Sequence, residues 1–104
     1  LYTQVLAGSP KSHVAYNNRG YVCYKMGRYR EAEEGLSRAI ELKDDYDKAY
    51  INRSFVRQAL GKHDLAVQDY SRGGGPSGHP SEIVRVLKEL DGVGGVDTQG
   101  AFLP

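Results

Sequence analysis

Residues 13–38 read HVAYNNRGYVCYKMGRYREAEEGLSR, and 34 residues further on residues 47–72 read DKAYINRSFVRQALGKHDLAVQDYSR. Ala15/Ala49, Tyr16/Tyr50, Asn18/Asn52, Arg19/Arg53, Val22/Val56, Gly27/Gly61, Ala32/Ala66, Ser37/Ser71 and Arg38/Arg72 are identical. Nine identities in 26 aligned positions, against about one or two expected from unrelated segments, mark a repeated structural unit.

Within each copy, small side chains stand twelve residues apart, Gly20 with Ala32 and Ser54 with Ala66, and Gly27 or Gly61 lies between them. A glycine after a helical stretch suits a left-handed C-terminal cap, so one helix stops there and another starts within a few residues. Small residues on both helices allow a close approach. The spacing predicts helices over 13–26, 29–42, 48–60 and 63–72, with Ser12 and Asp47 accepting the first free amides of the helices after them. The expected class is all-α, built of tandem antiparallel helix hairpins.

On these residues the chain resembles the tetratricopeptide repeat, a 34-residue helix pair with an aromatic, Leu-Gly, aromatic, Ala, aromatic and Pro signature. Copy one supplies Tyr16, Arg19-Gly20, Cys23, Gly27, Ala32, Leu36 and Ala39, with Asp44 in the proline's place. Copy two supplies Tyr50, Arg53-Ser54, Arg57, Gly61, Ala66 and Tyr70, with Arg57 at a core aromatic position, and its match ends after Arg72. The same register run backwards lands on Tyr2, Val5 and Pro10, so residues 1–12 read as the end of a preceding unit's second helix, helical over about 1–8, and the chain as a piece of a longer array. The expected organisation is repeat 1 at 13–46 and a truncated repeat 2 at 47–72.

At residue 73 the character changes, since eight of the thirteen glycines fall in the last 32 residues. Residues 73–80 form a Gly/Pro-rich linker that cannot continue a helix. Residues 81–90 place Ile83, Val84, Val86, Leu87 and Leu90 near helical spacing, which fits either a helix capping the open end of the stack or a segment foreign to the array. Residues 91–104 read as a disordered tail.

The charge of +1 gives no global attraction to nucleic acid or anionic membranes. No apolar run reaches the length of a membrane span, and no signal-peptide pattern is present. A single cysteine cannot close an intramolecular disulfide, so cytosol or nucleus is the default setting. His13, His63 and His79 form no ligand pattern, which argues against metal, and no cofactor motif is present, because neither glycine run has the strand, helix or lysine context of a phosphate loop. Glu33-Glu34 and Asp44-Asp45 read as solvated surface charges, and Cys23 as a buried structural thiol. No constellation supports an enzyme.

What remains is recognition of a protein or peptide. The resemblance implies a concave face formed by the first helix of each pair, which places Asn17, Asn18, Tyr21, Tyr24 and Lys25 from copy one, and Lys48, Ile51, Asn52, Phe55 and Ala59 from copy two, on a groove for an extended peptide or a helix. Tyr21 and Phe55 would be neighbouring aromatic contacts, and Asn18 and Asn52 would grip a peptide main chain; packing and local hydrogen bonds are the plain alternatives for the same residues. Chaperone-binding members of the family hold a C-terminal carboxylate in a clamp. Tyr50-Ile51-Asn52-Arg53-Ser54 resembles its middle element, but Asn17 and Tyr21 stand where its first Lys and Asn belong. RNA binding is the alternative from another class, since other helical-repeat families read single-stranded bases, and near-neutral charge weighs against it.

Overall fold

The computed structural model describes residues 12–75 and 79–90. Among them are five helices and no strand: α1 (His13–Lys25), α2 (Tyr29–Leu42), α3 (Asp47–Ala59), α4 (His63–Arg72) and α5 (Pro80–Leu90). The helix expected over 1–8 and the tail over 91–104 lie outside the described residues.

The 34-residue offset becomes a backbone repeat because both hairpins turn by the same device. After α1, Gly27 takes φ 79°, its N–H donates to the Tyr24 carbonyl at 3.0 Å, and Arg28 N–H donates to the Cys23 carbonyl at 2.8 Å. After α3, Gly61 takes φ 81°, its N–H donates to Gln58 at 3.1 Å, and Lys62 N–H donates to Arg57 at 2.8 Å. Both are Schellman caps, which need a residue tolerant of the left-handed region. The same pattern, centred on Gly74, closes α4 after ten residues where α2 runs for fourteen.

The start of α1 is as expected, with Ser12 Oγ accepting from Ala15 N–H at 3.1 Å. The start of α3 differs. Tyr46 is the N-cap without a side-chain cap bond, and Asp47, expected as the capping acceptor, is the first helical residue. Burial of the Tyr46 ring, edge-on to His13 at 4.9 Å between centroids, fixes the entry one residue early. The Asp47 carboxylate in the first turn still complements the helix dipole.

Each hairpin packs face to face, α1 on α2 and α3 on α4, and the two hairpins meet chiefly through α2 and α3. One core runs through the stack, with Cys23, Leu36, Ala39, Ala49, Val56 and Ala66 all at 0% exposure. Small side chains on α1 and α3 set the hairpin spacing, as the sequence implies: a Cβ added at Gly20 would stand 2.6 Å from Leu36 Cγ. Beyond the glycine stretch, α5 lies against both α3 and α4 and buries Ile83 and Leu87 in the same core. The first helices begin at His13 and Asp47 and α5 at Pro80, so α5 starts within one residue of where a third unit's first helix would.

Gly20→Ala is expected to lower stability by about 1–3 kcal/mol through overpacking against Leu36, even though alanine is the better helix former by about 0.5–1 kcal/mol. Urea denaturation of the two proteins, followed by circular dichroism, checks it.

Candidate functional site

The first helices stand side by side, and their asparagines join them. Asn52 Nδ2 donates to Asn17 Oδ1 at 2.9 Å across the inter-repeat boundary, and Asn17 Nδ2 donates to Asn18 Oδ1 at 3.3 Å. Asn17 is fully buried and Asn52 nearly so. This differs from the expected Asn18 and Asn52 grip on a peptide main chain: the Asn52 amide serves the partner helix, and the buried Asn17 takes the place Asn18 was expected to hold. A buried polar group must find a partner inside the fold, and a second asparagine one repeat away supplies both a donor and an acceptor.

The aromatic residues divide in the same way. Phe55 and Tyr24 are buried at 3% and 9% exposure, so they form the floor of the inner face rather than projecting from it. Tyr21 is half-buried, with its ring 6.5 Å from that of Tyr24, which in turn lies 5.7 Å from Tyr29. Lys25 is exposed, while Asn18, Lys48 and Ile51 are half-buried. Ile51 reaches the end of α4, where a Cβ added at Gly73 would come within 2.6 Å of Ile51 Cγ1. Of the residues expected on this face, the structure buries Asn17, Tyr24, Asn52 and Phe55 and leaves Asn18, Tyr21, Lys25, Lys48 and Ile51 exposed or half-buried.

Opposite this face lies an ion network that the sequence did not disclose. Arg53 grips Asp69 with two bonds, Nε to Oδ2 at 2.9 Å and Nη2 to Oδ1 at 2.8 Å, and donates from Nη1 to Ser37 Oγ at 3.1 Å. Arg57 donates to Asp69 Oδ2 at 3.0 Å and to Glu33 Oε2 at 2.9 Å, and Lys62 Nζ lies 2.9 Å from Glu33 Oε1. Arg57, which departs from the aromatic of the motif, therefore ties α3 to α2 and α4 at once. Glu33 is not a solvated surface charge: its side chain is only 17% exposed, whereas Glu34 is exposed. Burial alone would push the Glu33 carboxyl up, but hydrogen bonds from Lys62 and Arg57 outweigh it and hold the group below its ordinary value. The signal available in sequence was a pair of coupled departures: where copy one has Cys23 and Gly35, copy two has Arg57 and Asp69.

Among the described residues no cluster of three or more His, Cys, Asp or Glu is arranged to hold a metal. Cys23 is fully buried. No described helix is long and apolar enough to cross a membrane.

Comparison with known proteins bears on the same residues. The family model described as tetratricopeptide repeat matches residues 13–46. The Protein SGT1 homolog of Oryza sativa subsp. japonica is 31% identical over 91 residues, 88% of this chain and 25% of that protein. Human serine/threonine-protein phosphatase 5 is 35% identical over 70 residues, 67% of this chain and 14% of that protein. The Hsp70-Hsp90 organising protein of Plasmodium falciparum is 28% identical over 72 residues, 69% of this chain and 29% of that protein. The chain therefore spans less than a third of the length of each of these relatives.

Because the folded-state Glu33 carboxyl is lowered, its contribution is fully present above the ordinary glutamate value and is lost as pH falls through the folded one. The melting-temperature gap between the protein and its Glu33→Gln variant is expected to hold steady above the ordinary glutamate range and to narrow as pH falls below it. Thermal scans across that range check it.

Proposed function

Because residues 13–46 are a tetratricopeptide repeat, we propose that this chain is a non-catalytic protein-interaction module that receives an extended peptide or a helix of a partner on the face shared by α1 and α3. The observation that supports this reading is the Asn17–Asn52 bond, which joins the two first helices, with Tyr24 and Phe55 of those helices buried and Tyr21, Lys25, Lys48 and Ile51 on the same helices exposed or half-buried. Such a surface combines an apolar base with separated polar contacts, the composition of a recognition site. Its accessible tyrosine, Tyr21, is of a residue type that dominates binding energy at interfaces.

Clamping of a C-terminal carboxylate is the weaker reading. The first cation of such a clamp is replaced by Asn17, which is fully buried and bonded to Asn52, so the charge-assisted bonds that make carboxylate recognition strong are missing at that end. That one similar protein is named as an Hsp70-Hsp90 organising protein makes chaperone-type partners a reasonable class to include in the test.

The double variant Tyr21→Ala, Lys25→Ala changes a half-buried and an exposed side chain and is expected to keep the helical circular dichroism spectrum. It is also expected to recover partner proteins about tenfold less well in a pull-down from lysate, the scale of one or two lost hot-spot contacts. Equal recovery by both proteins would remove the groove from consideration, and salt-sensitive retention of RNA instead of protein would favour the nucleic-acid alternative.

A further inference from the structure

The inner face is not evenly filled. Tyr24 of α1, Phe55, Gln58 and Ala59 of α3, and Leu87 and Lys88 of α5 line an open pocket of about 230 Å³. Its walls come from three alternate helices, α1, α3 and α5, so the pocket exists only because α5 resumes the stack beyond the glycine stretch. Four of the six side chains are apolar or aromatic, three of them buried at 9% or less (Tyr24, Phe55, Leu87), while Ala59 and Lys88 are exposed at the rim.

The charge that lines it is positive. Arg53 and Arg57 of α3 are engaged with Asp69 and Glu33 and add nothing to it, which leaves Lys25 of α1 exposed and Lys48 of α3 half-buried, with Asp47 as the single acid of these two helices. On α5 it is Lys88, not its neighbour Glu89, that lines the pocket.

Resting on the groove reading above and deepening it, we propose that this pocket takes one bulky apolar side chain from an internal segment of the partner that carries acidic residues beside that side chain. The buried walls of Tyr24, Phe55 and Leu87 remove the anchor from water, which is the main source of its affinity. Ala59 keeps the mouth open because it has no side chain beyond Cβ. Lys88 at the rim faces the flanking carboxylates, and Gln58 offers an amide donor and acceptor to the main chain of the segment. This assigns α5 a role in binding as well as in closing the stack.

Three capped peptides, acetylated and amidated so that no terminal carboxylate is present, test the assignment on the full chain: Ser-Asp-Phe-Asp-Ser, Ser-Asp-Ala-Asp-Ser and Ser-Lys-Phe-Lys-Ser. Amide chemical shifts of Gln58, Ala59, Leu87 and Lys88 report on the pocket. The acidic Phe peptide is expected to move these signals and to bind about tenfold more tightly than either of the other two. Ala59→Trp fills the mouth from an exposed position and should abolish the shifts with an unchanged circular dichroism spectrum; Lys88→Glu should reverse the preference between acidic and basic Phe peptides. Equal response to Phe and Ala peptides, or unchanged binding by Ala59→Trp, overturns the proposal. If Tyr21→Ala, Lys25→Ala loses partners from lysate while Ala59→Trp keeps them all, the pocket assignment fails and the groove stands. If both variants keep every partner, both readings fail.

Discussion

The meeting of α2 with α3 is the interaction on which the rest of the molecule depends. A two-helix hairpin cannot bury both of its apolar sides alone, and here Leu36, Ala39 and Ile40 of α2 join Ala49 and Val56 of α3 in a single core that crosses from one hairpin to the next. Stability in such stacks is approximately a sum of unit and interface contributions, so the two described hairpins lean heavily on the junction between them. The site follows from that junction, because only hairpins stacked in this register bring Asn17 and Asn52 together and line up the first helices as one surface.

The ionic network reinforces the same junction from the other side. Arg57 and Lys62 of the second hairpin converge on Glu33 of the first, and Arg53 reaches Ser37 of the first while holding Asp69 of its own. With Asp69 only 3% exposed, two guanidinium groups supply the hydrogen bonds that such a buried carboxylate requires. The side of the stack that bears these ions is thereby fixed in shape, and the opposite, asparagine-linked side inherits that fixed shape as a preformed surface.

Much of this was legible in the residues. The 34-residue identities and the glycines at 27 and 61 announce two capped hairpins, because a left-handed cap has few sequence solutions. The pairing of the first helices was legible too, but not the depth of each side chain: Asn17 and Asn18 are adjacent and alike in sequence, and only packing decides which one turns inward to Asn52. Arg57 read as a defect because the motif expects an aromatic there, and its compensation at Asp69 lies twelve residues away on another helix. The stretch of glycines hid the resumption of the stack at Pro80, since periodicity in residues 81–90 speaks for a helix but not for what that helix leans upon.

The exchange of Cys23 and Gly35 for Arg57 and Asp69 has a consequence for how the chain finds its native pairing. Tandem units of similar sequence run the risk of swapping helices during folding, α1 closing on α4 or α3 on α2 as a mismatched hairpin. Here α1 closing on α4 would offer Asp69 only Arg19, the counterpart of Arg53, with a thiol where Arg57 stands, so the enclosed carboxylate would lose one of its two guanidinium partners. The second guanidinium thus tilts the choice toward the native pairing, which the shared apolar pattern alone would leave even.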